Sequence, residues 1–499
     1  MAISMHTVLA DKLNPADADD TPSYNLDSRD RLIPVVVDVD GTLLSTDLLY
    51  ETFFRTVGSA PLGMVDLVRS LTSKAQLKST LANLGSVEPA TLPYDREVQA
   101  TIARARMHGR KVYLASAGNE GLIEKIAQYV GADGWFASSD AENLSGSRKA
   151  RLLVGKFGDH NFDYVGNSPS DLDVWTHARK AIVAGGSRRL AGELERRHIA
   201  AELLPCTRPG ALEWLRLLRV HQYVKNLLVF LPALAAHALD LGTITRSVLA
   251  FVAFCACASA AYLINDLIDL EADRSHPSKK NRPLASGRIK LQHAVVAAPI
   301  LMALSFVVAA TISVRFAAIL AVYLLMTSAY SLFIKRKMIV DAITLALLYS
   351  IRVVGGAIAC NLFLSEWLLA FSLFVFTALA LVKRFTELTL HLNSNSPGPH
   401  NRNYITSDLS VIAALAAASA FNSITVFALY ISSDAVRPLY VHPEVLWLAC
   451  PILTYWFARL IVLANRRLLS DDPIVFAVKD RNSWIVAALI LLLMFSASI

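Results

Sequence analysis

The sequence predicts two folds in tandem: an N-terminal α/β domain on a Rossmann-like parallel sheet, then an all-α bundle of nine transmembrane helices. Two observations carry this. Short apolar runs ending in acidic or small polar residues, at 31–40, 111–116 and 163–167, alternate with helical stretches. Strands alternating with helices build a parallel sheet whose ligands sit at the strands' C-terminal ends. Beyond residue 210 the composition changes. Hydrophobic residues make up 54% of the 499-residue chain and charged residues 18%, against about 25% charged in soluble proteins. The apolar excess lies almost wholly in this second part.

Taken in order, residues 1–30 are polar, carry Asp17, Asp19 and Asp20, and read as a disordered tail without a cleavable signal. The α/β domain is expected over 31–180. Its first strand is Arg31–Asp40, a mostly helical stretch fills 46–108, and further strands follow at Lys111–Ala115 and Asp163–Val165. Residues 181–210 are basic and irregular and are expected to be a linker. The membrane domain is expected over 211–499. It holds about nine apolar stretches, most of them near the roughly 20 residues that a bilayer crossing needs. They lie near 222–240, 245–265, 292–311, 315–333, 340–360, 366–383, 408–431, 445–464 and 483–498. Lys225 and His237 shorten the apolar core of the first.

The net charge of +7 comes with no RNA- or DNA-binding signature. The basic residues instead sit beside apolar spans. Arg274–Lys290, Lys335–Lys337, Lys383 with Arg384 and Arg402, and Arg466, Arg467, Lys479 and Arg481 follow the even-numbered spans. The opposite loops hold little beyond Arg315 and Arg437. Positive-inside bias puts the even loops, and the domain preceding the first span, on the cytoplasmic side of an inner membrane. The five cysteines form no CxxC pair, which fits buried thiols in a reducing compartment.

The second span ends in Asn265-Asp266-Leu267-Ile268-Asp269-Leu270-Glu271-Ala272-Asp273. On a continuous helix Asp266, Asp269 and Asp273 share one face, joined by Asn265. Three such carboxylates call for a cation. Hard oxygen ligands suit Mg²⁺, which is commonly shared with substrate phosphates. A basic run follows: Arg274, His276, Lys279, Lys280, Arg282, Arg288 and Lys290. The pattern is that of a metal–diphosphate site at a membrane surface.

This motif, the Arg282-Pro283-Leu284 loop and the preceding Gln222-Tyr223-Val224-Lys225-Asn226 resemble the UbiA superfamily of intramembrane polyprenyl transferases, over roughly 211–499. Aromatic prenyl transferases of that superfamily carry a second aspartate-rich motif after the sixth span. Here Leu381–Leu388 holds a single acid, Glu387. With Tyr330–Lys335, Asp341 and Arg352 the chain is more similar to the decaprenyl-phosphate phosphoribosyltransferase branch. That resemblance implies phosphoribosyl diphosphate (PRPP) as donor and a polyprenyl phosphate as acceptor. It implies Asp266 and Asp269 as catalytic metal-holding residues, with Asp273. As phosphate- or substrate-binding residues it implies Lys225, Asn226, Asn265, Arg274, His276, Lys279, Arg282, Tyr330, Lys335, Asp341, Arg352, Lys383 and Arg384. Lys383 and Arg384 read equally as an ion-paired helix end with Glu387, and Tyr330 equally as an interfacial aromatic. Asp341, at a span boundary, is favoured as functional. Asp472, Asp480 and Arg481 read as structural.

Asp38-Val39-Asp40-Gly41-Thr42-Leu43 after the first strand resembles motif one of the haloacid dehalogenase (HAD) phosphatases, over about 31–180. The resemblance implies that Asp38 attacks phosphorus, that Asp40 serves as acid and base, and that the residues between motifs one and two form a small helical cap. Ser116 matches the phosphoryl-binding hydroxyl and Lys149 the motif-three cation. Gly166-Asn167-Ser168-Pro169-Ser170-Asp171 matches the acidic loop, with Asn167 where the family has aspartate. Asp38, Asp40, Asn167 and Asp171 would hold a second Mg²⁺. Gly41 allows the turn that follows the acids.

Together the halves imply phosphoribosyl transfer to a lipid phosphate, then removal of the 5-phosphate, giving a polyprenyl-phosphoryl ribose that feeds arabinose donors. Two alternatives stand beside this. One is an aromatic polyprenyl transferase; the other is a lipid-phosphate-binding protein with an inert HAD module. The apolar helices would also suit a homo-oligomer interface.

Overall fold

The computed structural model describes residues 32–59, 87–138, 144–206, 208–391, 403–434, 436–469 and 472–499. The expected tail, the 60–86 part of the expected cap and Arg402 lie outside the described residues. The chain forms two compact units, Met1–Leu217 with Asp266–Ala294, and Leu218–Asn265 with Val295–Ile499.

The first unit is built on β1 (Val35–Asp38), α1 (Leu48–Ser59), α2 (Arg96–Met107), β2 (Val112–Asn119), α3 (Glu120–Val130), β3 (Gly134–Ser138), α4 (Ser147–Phe157), β4 (Asp163–Gly166), β5 (Lys180–Val183), α5 (Arg188–Arg196) and β6 (Ala201–Leu203). Six strands pair in parallel in the order β3-β2-β1-β4-β5-β6. Valines fill β1 because it is buried on both faces. Val35 and Val37 pack with Leu43, Leu114 and Ile123, and Val36 packs with Phe162, Tyr164 and Trp175. The parallel sheet thus appears as expected, with β1, β2 and β4 side by side.

Its extent differs from expectation. Residues 181–210, expected as a linker, supply the rest of β5, all of α5 and the edge strand β6. The arginines that suggested a linker are the solvent side of α5, whose Leu190 and Leu194 are buried. A short amphipathic helix with so many charges has too few apolar residues to betray its period.

Eight helices among the described residues are long and apolar enough to cross a membrane. They are α6 (Leu241–Ile268), α8 (Leu291–Ile312), α9 (Val314–Leu332), α10 (Val340–Cys360), α11 (Glu366–His391), α12 (Leu409–Ser432), α13 (Ala449–Asn465) and α14 (Arg481–Ser498). The stretch expected as a first span, 222–240, is instead a 3₁₀ segment, Val220–Phe230, and one turn of helix, Leu231–Ala235. Lys225, Asn226 and Pro232 explain this. The two polar side chains are buried, and irregular backbone is tolerated at membrane depth only where protein encloses it. Gly356 on α10 permits that approach, since a Cβ there would lie 2.0 Å from the Val229 carbonyl oxygen.

The acid-rich segment also departs from one helix. Helix α6 ends at Ile268, Asp269 takes φ −90° and ψ 13°, and α7 covers Leu270–Ser275. The single face expected for Asp266, Asp269 and Asp273 is therefore broken. A continuous helix would align three like charges; the break lets Asp273 turn to a cation in the following loop.

Candidate functional site

In the first unit, Asp38 closes β1 and Ser116 lies within its neighbour β2, so the pleat itself delivers both to one end of the sheet. Gly41 turns the chain after the acids with φ +73°. The Thr42 hydroxyl donates to Asp38 Oδ2 at 3.1 Å, and the Lys149 ammonium donates to Asp38 Oδ1 at 2.8 Å. Lys149, buried on α4, also donates to the Tyr164 hydroxyl at 3.0 Å. Asp40 accepts from the Ser116 hydroxyl at 3.0 Å and from the Leu48 amide at 2.9 Å, which ties it to the start of α1. Asp38, Asp40, Ser116 and Lys149 are thus brought together.

The acidic loop plays a different part. Asp171 Oδ1 accepts from Tyr164, and Oδ2 accepts from the Asn167 and Ser168 amides and the Ser168 hydroxyl, at 2.8–3.1 Å. Both its oxygens are engaged in organising this loop. The Asn167 amide group donates to the Gly41 carbonyl, so it bridges the loop to the motif-one turn. Burial pushes the Asp38 carboxyl up to about 7 despite the Lys149 ammonium. Burial likewise raises Asp40, helped by Asp47.

The acid-rich turn belongs to the same unit. Arg282 Nη1 lies 3.1 Å from Asp266 Oδ1 and 2.5 Å from Asp273 Oδ2. One guanidinium thus joins two buried carboxylates. Burial raises the Asp273 carboxyl, with Arg282 opposing. Among the described residues no three His, Cys, Asp or Glu side chains converge as a metal-holding group. The donor set still fits Mg²⁺, which binds through one or two carboxylates plus substrate phosphates; Asp266 and Asp273 already face one cation. Arg274 is directed elsewhere, its guanidinium donating to Glu51 at 2.9 and 2.6 Å and to the Ala285 carbonyl at 2.9 Å. His276 Nδ1 lies 3.2 Å from the Ser278 hydroxyl within its own turn, and Lys279 is exposed.

The second unit gathers the other predicted residues in two places. Lys225 pairs with Asp472 and lies 5.6 Å above the Tyr349 ring. Lys383 stands 3.5 Å from the same carboxylate. Burial acts to raise the Asp472 carboxyl, but the two ammoniums outweigh it and hold it at about 2. Beside Lys225, Asn226 Oδ1 accepts from Arg352 Nε at 2.7 Å, and Arg352 also donates to the Tyr323 hydroxyl at 3.0 Å. The second place is a closed network. Arg384 and Asp341 are 1% and 0% exposed and 2.6 Å apart without hydrogen-bond alignment, a contact of charges. Arg384 also pairs with Glu387 and donates to Tyr330, while Tyr404 donates to Asp341 at 2.6 Å. Of the two readings of Arg384 and Glu387, the geometry has the ion pair. Asn265 is half-buried near the end of α6, and Lys335 is half-buried in the turn Ile334–Arg336.

Sequence reasoning missed Glu51, and it took Asp472 as structural only. Asp472 does cap the short helix Pro473–Lys479, accepting from the Ile474 and Val475 amides. Its ties to Lys225 and Lys383 span 247 and 89 positions and leave no local trace.

Comparisons with known proteins fall on both units. The profile of the UbiA prenyltransferase family matches residues 226–484. A protein of Sinorhizobium fredii, uncharacterized protein y4nM, is 34% identical over 471 residues, covering 93% of this chain and 91% of its own length. Nodulation protein NoeC of Azorhizobium caulinodans is 32% identical over 269 residues, 53% of this chain and 86% of that protein. Decaprenyl-phosphate phosphoribosyltransferase of Mycolicibacterium smegmatis is 35% identical over 181 residues, 35% of this chain and 57% of that enzyme.

Proposed function

The chain belongs to the UbiA prenyltransferase family, and from that premise we propose that it transfers 5-phosphoribose from PRPP to a membrane polyprenyl phosphate and then removes the 5-phosphate. The observation that carries the reading is the pair of buried carboxylates, Asp266 and Asp273, set around one cationic group and followed by a basic loop. The phosphoribosyltransferase relative favours a phosphosugar donor over an aromatic acceptor, as does the single acid in 381–388.

In the first step a polyprenyl phosphate oxygen bonds to C1 of PRPP as the C1–O bond to diphosphate breaks. The oxyanion is already a nucleophile, so no general base is needed. Asp266 and Asp273 would hold Mg²⁺, which when bound offsets the charge of the leaving diphosphate; Asp269 lies between them in the sequence, at the break of the helix. Arg282 and Lys279 add cations at the same turn. In our reading Lys225, Lys383 and Arg352, within the second unit, are phosphate-binding residues, the role the resemblance implies for them.

In the second step the 5-phosphate meets Asp38, whose carboxylate attacks phosphorus as the bond to the ribose oxygen breaks. Asp40 gives its proton to that oxygen, then takes one from the water that frees inorganic phosphate. Ser116 and Lys149 hold phosphoryl oxygens. Asp38 and Asn167 would hold a second Mg²⁺; the amide brings no charge, so weaker metal binding is expected. The basic loops support a cytoplasmic placement of both sites.

The test is a membrane assay with labelled PRPP, polyprenyl phosphate and Mg²⁺. Label should enter the lipid phase and fall at least about a hundredfold with Asp266→Ala. No label from a folded preparation would overturn the reading.

A further inference from the structure

Arg274 follows the acid-rich turn directly, where a free cation would suit a diphosphate, yet its guanidinium grips Glu51 on α1 with two parallel hydrogen bonds. The side chains are 7% and 5% exposed. Fork-to-fork pairing of this kind fixes direction as well as distance. Glu51 is itself held, since Oε1 accepts from the Thr46 hydroxyl at 2.7 Å. Arg274 Nε meanwhile donates to the Ala285 carbonyl. A second pair, Arg55 with Glu271 at 3.0 Å, lies on the same two helices. The surfaces meet closely around these pairs. A Cβ on Gly287 would lie 2.8 Å from Ser45 Cβ, and one on Gly58 would lie 2.9 Å from the Ile268 carbonyl oxygen. The helix so gripped, α7, is the one that carries Asp273 to Arg282.

We propose that Glu51 is a positioning residue for the acid-rich turn. Through Arg274 it sets the place of α7, and so the distance of Asp273 from Asp266 and Arg282. The helix that follows the phosphatase motif thereby forms part of the support of the diphosphate site, although it touches no substrate. Removing the charge of Glu51 frees α7 to shift, and a carboxylate pair that must meet one cation tolerates little displacement. The inference rests on the reading of Asp266 and Asp273 as the diphosphate centre.

The test is Glu51→Gln in the full chain, with KM and kcat for PRPP measured beside Mn²⁺ affinity by electron paramagnetic resonance, counting only the site that Asp266→Ala abolishes. The expected result is a KM for PRPP and a Mn²⁺ dissociation constant raised roughly tenfold, with kcat nearly unchanged, the scale seen when partners behind metal ligands are lost. A merely structural residue would lower the yield of folded enzyme and leave both constants alone. The reversed pair, Glu51→Arg with Arg274→Glu, should recover both constants. If it folds and both stay tenfold weak, or if folded Glu51→Gln keeps wild-type constants, the proposal is overturned. Should the wild-type chain bind Mn²⁺ at this site but not use PRPP, the functional reading fails while the Mn²⁺ comparison still decides the role of Glu51.

Discussion

Asp38 is held protonated further up the pH scale than a free carboxyl, because burial outweighs the nearby Lys149 ammonium. The native state therefore binds its proton more tightly than the unfolded chain does. The stability this lends is full below the unfolded value of 3.8 and is lost as pH rises through about 7. In metal-free buffer the melting temperature of Asp38→Asn should gain on wild type as pH rises from about 5 to about 7.5; a constant difference would contradict the assignment. The same substitution should leave transfer intact and make the 5-phosphorylated lipid accumulate, seen by chromatography of the lipid phase. Normal release of dephosphorylated lipid would separate Asp38 from the second step.

Helices α9, α10 and α11 are tied at one end by Tyr330, Asp341 and Arg384, one from each. Arg384→Ala would leave Asp341, wholly buried, without its cation. Breaking such a pair costs about 3–5 kcal/mol, so the variant should melt well below wild type in detergent or fail to accumulate. Asp341→Asn with Arg384→Met removes both charges and should restore much of the loss. Equal instability of single and double variants would mean that the network does more than balance charge. At this scale the spans from α8 onward were legible because each is a long apolar run. The broken segment 220–235 and the helix α5 were not. Their backbone is decided by what Lys225 and Asn226 meet in the bundle and by where Leu190 and Leu194 are buried.

For the whole molecule, the loop charges argue for one membrane orientation, and the cysteines offer a test. Cys206 is exposed, Cys450 half-buried and the other three buried. With the first unit in the cytoplasm, a membrane-impermeant maleimide should label Cys206 in inverted vesicles and not in intact spheroplasts, with Cys206→Ser as control. The reverse pattern would invert the proposed topology and put the proposed transfer site out of reach of cytoplasmic PRPP.

The sequence by itself determined the order of the two folds, the sheet-end acids Asp38 and Asp40, and the acid-rich segment 265–273, though not its break at Asp269. Each is written in a short window, as an apolar run, a turn glycine or a run of like charges. Only the tertiary structure decided which cation each carboxylate meets. Arg282 went to Asp266 and Asp273, Arg274 to Glu51, Lys225 and Lys383 to Asp472, and Arg384 to Asp341. A buried charge must find an opposite partner wherever packing brings one. That choice depends on distances across the fold, which no local spacing encodes.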